Sequence, residues 1–461
     1  MSGETYTLRS RAGEPRREAN LRIDYAAELN PAQHAAACHL EGPVLVIAGA
    51  GSGKTRTLVY RVARLVEMGV APQSILLLTF TRHAAEVMLE RAAELVGPDC
   101  GRVCGGTFHS FANILLRRFA RAIGREPSFT ILDRGDSEDV IQLLRTGMGL
   151  DRKERRFPKK QTIGEIFSMA VNKSVSLPRI VESQYLHLAD HLDDLERLRL
   201  GYDAYKTEKN LFDYDDLLVK LRDLLAGNPA IARRLATELR FVMVDEYQDT
   251  NRLQAEIVEL VGASHRNVMA VGDDAQSIYS FRGADFRNIM DFERLFPGAR
   301  VITLEDNYRS TQPILDLANA VIERAAERYT KVLRTTEKEG ERPMLVQAEN
   351  ESFQSRFVCQ RILELREEGV PLEDVAVLFR SSYHSFGLEL ELARRDIPFI
   401  KRGGFKFVET AHVKDVVAHL RVVANPLDTV SWLRILLLLE GVGPKRAGEM
   451  VERISAGGGD L

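Results

Sequence analysis

The sequence predicts an α/β protein built on a parallel sheet buried on both faces, with a helical insertion, an incomplete second α/β lobe and the start of a second helical insertion. Three observations predict this. First, the apolar runs Val44-Leu45-Val46-Ile47, Ile75-Leu76-Leu77-Leu78, Phe241-Val242-Met243-Val244 and Val268-Met269-Ala270-Val271 each end in polar or glycine-rich residues and are separated by helical patterns. Continuous apolar strands joined by helices belong to parallel sheets covered on both sides. Second, this strand pattern vanishes from about Asn113 to Asn210, where the chain is helical and charged. Third, a new α/β alternation starts after Asn307. At roughly 100–200 residues per domain, 461 residues hold about two to four such units.

Taken in order, residues 1–20 are polar, carry Arg9, Arg11, Arg16 and Arg17, and lack the apolar core of a secretory signal, so they read as a loose tail. Residues 21–112 and 205–302 form the first lobe. After its first strand, Leu58, Val62, Leu65 and Val66 fall on one helical face and Gly69 sits where that helix should stop. Residues 113–204 form the insertion. Its basic stretch Arg152-Lys153-Glu154-Arg155-Arg156, with Lys159-Lys160, is either a solvated loop or a phosphate-contacting surface. Residues 303–411 form the partial second lobe: a helix from Gln312 to about Arg328, a strand at Met344-Leu345-Val346-Gln347, a helix from Ser355 to Glu368, then strands at Val375-Ala376-Val377-Leu378-Phe379 and Pro398-Phe399-Ile400. Residues 412–461 turn helical and end in Gly457-Gly458-Gly459 and two further residues without another strand run, so the second sheet reads as unfinished.

Composition narrows the function classes. Hydrophobic residues at 45% and charged residues at 28% are ordinary for a globular chain and exclude wholesale disorder. With a net charge of −3, nucleic acid would have to be held by a local basic track. Cys38, Cys100, Cys104 and Cys359 are too few and scattered for a disulfide framework and read as reduced thiols of a cytoplasmic protein. No apolar run approaches the ~18 residues of a membrane helix.

Four segments carry chemistry. Ala48-Gly49-Ala50-Gly51-Ser52-Gly53-Lys54-Thr55, followed by Arg56, leaves a strand and opens a helix, the setting in which backbone N–H groups wrap phosphates. Lys54 should reach the β- and γ-phosphates of a nucleoside triphosphate and Thr55 should bind Mg²⁺. The third apolar run ends in Asp245-Glu246 at the carboxyl edge of the sheet, where Asp245 would hold Mg²⁺ through its water shell and Glu246 would act as general base. The fourth run leads into Gly272 to Ala284, where Gln276 can reach a γ-phosphate while Tyr279 and Phe281, beside Arg282, offer an aromatic platform. Phe80, Phe108 and Phe212 hold similar strand-end or loop positions. Asn307-Tyr308-Arg309-Ser310 opens the second lobe, and Arg309 could stabilise transition-state charge from there.

In this order the segments resemble the UvrD/Rep/PcrA branch of superfamily 1 DNA helicases, from about Leu29 to Val442. Leu29-Asn30-Pro31-Ala32-Gln33 resembles the adenine-reading Q motif, Val244 to Asn251 motif II and the Gln276 loop motif III. The resemblance implies RecA-like lobes, adenine held by Gln33 and Tyr308, and a single-strand path lined by Phe80, Thr81, Thr107, His109, Phe212, Tyr279, Phe281 and Arg282. It also implies 3′ to 5′ movement on single-stranded DNA and at single-strand/duplex junctions, in repair or replication with protein partners. Arg82-His83, Tyr247 and Phe281 depart from the family's usual residues while keeping aromatic or basic character. Gly403 to Val408 with Lys414-Asp415 resembles motif IVa, and nothing resembles motifs V and VI, so the chain reads as truncated and without the family's second arginine finger. An ATP-gated single-strand binding protein that never unwinds is the alternative. A nucleotide kinase would need a lid and acceptor pocket, for which the sequence offers no candidate.

Overall fold

In the computed structural model, which describes residues 21–150, 157–402 and 411–456, the apolar runs become the centre of a six-stranded parallel sheet. Its strands are β1 (Val44–Ala48), β2 (Ile75–Thr79), β3 (Cys104–Thr107), β6 (Phe241–Val244), β7 (Val268–Gly272) and β8 (Arg300–Leu304), in the order β3-β2-β6-β7-β1-β8. Every residue of β1, β2, β6 and β7 is buried. Successive side chains point to opposite faces, so Leu45, Ile47, Leu76 and Leu78 pack into one core and Val44, Val46, Ile75 and Leu77 into the other. The edge strands β3 and β8 had no apolar run to announce them: Cys104 and Gly105 are exposed, and β8 is partly so. The register pairs Ile47 with Gly272, Val244 with Ala270 and Leu78 with Val244. The loops leaving β1, β6 and β7 therefore emerge side by side at one edge.

The insertion departs from the expectation of no strands. β4 (Thr130–Ile131) and β5 (Leu211–Phe212) pair in parallel at its base, a ladder too short to show as a run. Above it, the helices Arg134–Gly147, Lys160–Asn172, Leu177–Gln184 and Leu192–Glu208 enclose a separate core that includes Val140, Ile163, Ile166, Leu195 and Leu198. Of the basic stretch, residues 152–156 lie outside the described residues, while Lys160 is paired with Asp139 at 2.5 Å.

The second lobe requires a correction. Met344-Leu345-Val346-Gln347, Val375 to Phe379 and Pro398-Phe399-Ile400 join no ladder among the described residues. A strand exists through its neighbours' hydrogen bonds, and among the described residues these segments pair with no neighbouring strand; Leu345 and Leu378 are 99% and 92% exposed. The helix beginning at Gln312 ends at Ile322, not near Arg328. The helices Glu351–Glu367 and Phe386–Arg394 form a small core around Cys359, Ile362, Leu388 and Leu392. Gly403 to Val408 and Gly457 to Gly459 lie outside the described residues. The helices Ala411–Ala424 and Thr429–Leu436 reach back to the insertion, where Lys414 pairs with Asp133 at 2.8 Å and Arg421 with Asp136 at 2.5 Å. No helix among the described residues is long and apolar enough to cross a membrane.

Candidate nucleotide and nucleic-acid site

The glycine-rich loop turns at Gly51 and Gly53, whose φ values of +75° and +84° lie where L side chains are strained. Ser52 braces the turn by donating its hydroxyl to the Gly49 carbonyl at 2.7 Å. Ala48 belongs to β1, and its side chain is buried in the core. The helix Lys54–Glu67 starts without a side-chain cap among the described residues. Its contrast with the neighbours is informative: Thr81, Thr107, Asp213 and Asn251 each cap the helix they precede. The first N–H groups of Lys54–Glu67 are thus left for a ligand, and a helix N-terminus favours an anion.

A cleft of about 700 Å³ opens beside this loop, lined by Gln33, Lys54, Thr55, Glu246, Gln276 and Arg309 among others. Arg56 and Tyr308 also line it. Arg56 is paired with Glu28 at 2.8 Å. Gln33 donates to the Ser52 carbonyl at 3.0 Å, and Tyr308, 64% exposed, accepts from Asn30 Nδ2 at 2.8 Å. The second lobe lies directly on the loop: Tyr308 N–H donates to Gly51 O at 2.9 Å, and a Cβ on Gly51 would stand 2.6 Å from Arg309 Cβ.

The two acids after β6 differ in state. Asp245 is buried, its Oδ1 has no hydrogen-bond partner, and burial followed by the adjacent Glu246 pushes its carboxyl up to about 7. An orphaned buried carboxyl oxygen at Asp245 and a hydroxyl from the glycine-rich loop at Thr55 are hard-oxygen donors of the kind a divalent cation takes. Glu246 adopts the left-handed region, at φ +48°. Its Oε2 accepts from Lys54 Nζ at 3.0 Å and from Gln248 Nε2 at 2.9 Å. Gln276 lines the same cleft with its amide already engaged, donating to Asp273 Oδ2 at 2.5 Å.

A second cleft, of about 1140 Å³, runs beneath the insertion and contains Thr107, His109, Tyr279 and Phe281. Phe80 stacks on Tyr279 with ring centroids 4.9 Å apart and an interplanar angle of 33°, and Tyr279 on Phe281 at 6.0 Å and 36°. Phe80 and Phe281 are 42% and 66% exposed. Three rings from two loops thus form one ladder, although sequence separation hid their proximity. Thr81 and Thr107 spend their hydroxyls as caps, accepting from Ala84 N and Ser110 N. His109, whose imidazole burial holds below its usual range, packs edge-on against Tyr214 at 5.8 Å. The side chain of Arg282 lies outside the described residues.

Phe212 does not line this cleft. It is fully buried, edge-on to Phe129 at 4.5 Å with the Arg125 guanidinium over its face at 4.8 Å. The chain turns at Asp213, which caps the next helix, so Tyr214, 53% exposed, takes the cleft position instead. The turn into the helix at Asp213 is what separates the two, since strand alternation alone would put residues two apart on one face. Sequence reasoning also missed Asn172. Its amide donates to Asp215 at 2.8 Å and accepts from Asn251 at 2.9 Å, and it lies against Gly283. Lys54 lines the first cleft and Tyr279 the second, and Glu246 lines both.

The sheet, its glycine-rich loop and the acids at the same edge place the chain among the P-loop α/β proteins with RecA-like lobes. Residues 29–297 match the UvrD/REP helicase N-terminal domain and residues 302–456 the UvrD-like helicase C-terminal domain. The chain belongs to the UvrD/REP helicase family. It is 37% identical over 418 residues to the ATP-dependent DNA helicase PcrA of Staphylococcus aureus and 36% identical to that of Staphylococcus epidermidis. Each match covers 90% of this chain and 56% of the relative. The chain therefore spans about half the length of the curated relatives it matches.

Proposed function

We propose that this chain carries the ATP site and much of the DNA path of an ATP-dependent 3′–5′ DNA helicase or single-strand translocase, acting on single-stranded DNA and single-strand/duplex junctions in repair or replication. The observation that carries this reading is the position of Glu246, which borders both clefts and is hydrogen-bonded to Lys54. We assign residues 21–112 and 205–302 to the ATP-binding lobe, 113–204 to the insertion, 303–411 to the partial second lobe and 412–461 to the start of a further insertion. A cytoplasmic location follows from this role.

In this reading the P-loop N–H groups bind the phosphates of ATP, while Gln33 and Tyr308 flank the adenine. Arriving phosphate oxygens outcompete Glu246 for Lys54, because a polyphosphate offers the ammonium more charge than one carboxylate. Glu246, released, can accept a proton from water, and Arg309 and Gln276 stabilise charge on the terminal phosphate. Mg²⁺, held by Thr55 and Asp245, would screen the phosphate charge. Phe80, Tyr279 and Phe281 stack bases in the second cleft, each worth about 1–3 kcal/mol. Family partners of the relatives and any junction preference belong to the same proposal.

A second reading, ATP-gated single-strand binding without unwinding, is favoured by the second-lobe segments that join no ladder among the described residues. Oligo-dT stimulation of ATP hydrolysis separates the two. Stimulation supports the motor reading; its absence together with retained oligo-dT binding leaves the second. Lys54→Ala should abolish hydrolysis, and an unchanged turnover rate would move the ATP site elsewhere.

A further inference from the structure

The loop after β7 carries two adjacent acids whose side chains are only 4% and 3% exposed, Asp273 and Asp274. Both are met by Lys331, a residue of the segment that leads into the second lobe, whose own side chain is 3% exposed. Its Nζ lies 2.5 Å from Asp273 Oδ1 and also contacts Asp274 Oδ1. One cation for two buried acids is an unfavourable arrangement unless it is well bonded, because each ion gives up its hydration before pairing. Neighbouring donors also hold the two acids. Asp273 Oδ1 accepts from Ala275 N at 3.1 Å, Asp273 Oδ2 from Gln276 Nε2 at 2.5 Å, and Asp274 Oδ2 from Tyr329 N at 3.0 Å.

The cluster is also wired to the phosphate loop. Asp273 N donates to Gln248 Oε1 at 2.9 Å, Gln248 Nε2 donates to Glu246 Oε2 at 2.9 Å, and the same oxygen accepts from Lys54 Nζ at 3.0 Å. Lys54, Glu246, Gln248, Asp273 and Lys331 form an unbroken hydrogen-bonded path from the first lobe's phosphate loop to the segment entering the second lobe.

We propose that Lys331 is a positioning residue: it ties the Gln276 loop to the Tyr329–Arg334 segment, so that a terminal phosphate drawing Gln276 from Asp273 alters the order of that segment. The inference rests on the nucleotide reading above and deepens it. Lys54, Glu246 and Gln276 are already bonded in this structure, so nucleotide binding must exchange their partners, and Asp273 is the group on which the exchange would be felt by Lys331.

Hydrogen exchange tests it, since the amides of Tyr329, Val332, Leu333 and Arg334 are all hydrogen-bonded and measurable. The full chain is compared with Mg²⁺ and the imido analogue of ATP, with Mg²⁺ and ADP, and alone. The wild type should show exchange in residues 329–334 changed at least threefold by the analogue and not by ADP. Lys331→Met/Asp274→Asn, which keeps the cluster's net charge, should bind the analogue and lose that response; Lys331→Arg should keep it. If the double variant fails to fold, Lys331→Gln/Asp274→Asn, which retains donors for both positions, should fold and show the response reduced at least twofold. A wild-type segment indifferent to bound analogue, or a response retained in the folded double variant or undiminished in its Gln substitute, overturns the inference alone. Failure of the wild type to bind the analogue overturns the nucleotide reading and the inference with it.

Discussion

At the scale of single residues, identical side chains take opposite parts according to which way the backbone turns. Phe212 and Phe281 are both phenylalanines near the carboxyl edge, yet one is fully buried beside Phe129 and the other is 66% exposed in a stacked series. Phe212→Ala should therefore lower stability by about 3–5 kcal/mol, measured by denaturant unfolding, while leaving the oligo-dT affinity of the folded protein unchanged. Phe281→Ala should do the reverse: the unfolding midpoint stays within error and oligo-dT affinity, read by fluorescence anisotropy, falls about 5- to 150-fold, the equivalent of roughly 1–3 kcal/mol of base stacking. Equal effects of the two substitutions on affinity would contradict the placement of both.

At the scale of elements, the insertion and the sheet are joined through the start of the helix Tyr214–Gly227. Asp215 there receives Asn172 at 2.8 Å, and burial, followed by the nearby Asp213, pushes its carboxyl up to about 6 from an ordinary 3.8. A carboxyl raised on folding prefers its proton in the native state. Its contribution to stability is complete below about pH 3.8 and is lost as the pH rises through about 6. Relative to Asp215→Asn, the wild type should therefore lose stability between pH 4 and 7, by at most about 3 kcal/mol. Paired thermal melts across that range check the sign; a wild type that gains on the variant with rising pH would refute it. Gly283, at φ +86°, marks the other end of the same junction, because a Cβ there would lie 2.6 Å from Asn172 Cβ.

At the scale of the whole molecule, the first lobe and the insertion each own a closed core, whereas the second lobe leaves much apolar surface uncovered. Leu345, Leu378 and Ile400 are 99%, 92% and 80% exposed. Residues so placed contribute little to native stability, and extended apolar surface promotes association. Leu345→Lys/Leu378→Lys should shift stability by less than about 0.5 kcal/mol and reduce self-association, measured by light scattering over a concentration series. A large loss of stability would show that these leucines are covered in solution.

Local order was legible in the residues themselves. The four apolar runs specified the buried strands, because only a strand covered on both faces can be apolar throughout, and Gly51-Ser52-Gly53-Lys54-Thr55 specified its loop, because that turn needs positive φ. Asp245, Glu246 and Gln276 were legible as strand-end groups, although their present partners were not. What tertiary structure alone decided was pairing and facing. The edge strands β3 and β8 and the two-residue ladder of β4 with β5 depend on neighbours far along the chain, and among the described residues the second-lobe runs find no such neighbours and form no strands. The exchange of Phe212 for Tyr214 in the cleft, the Phe80–Tyr279 stack and the Lys331 tie to Asp273 were likewise invisible, since a one-dimensional pattern records which side chains are apolar or charged but not which distant groups packing brings within a few ångströms of them.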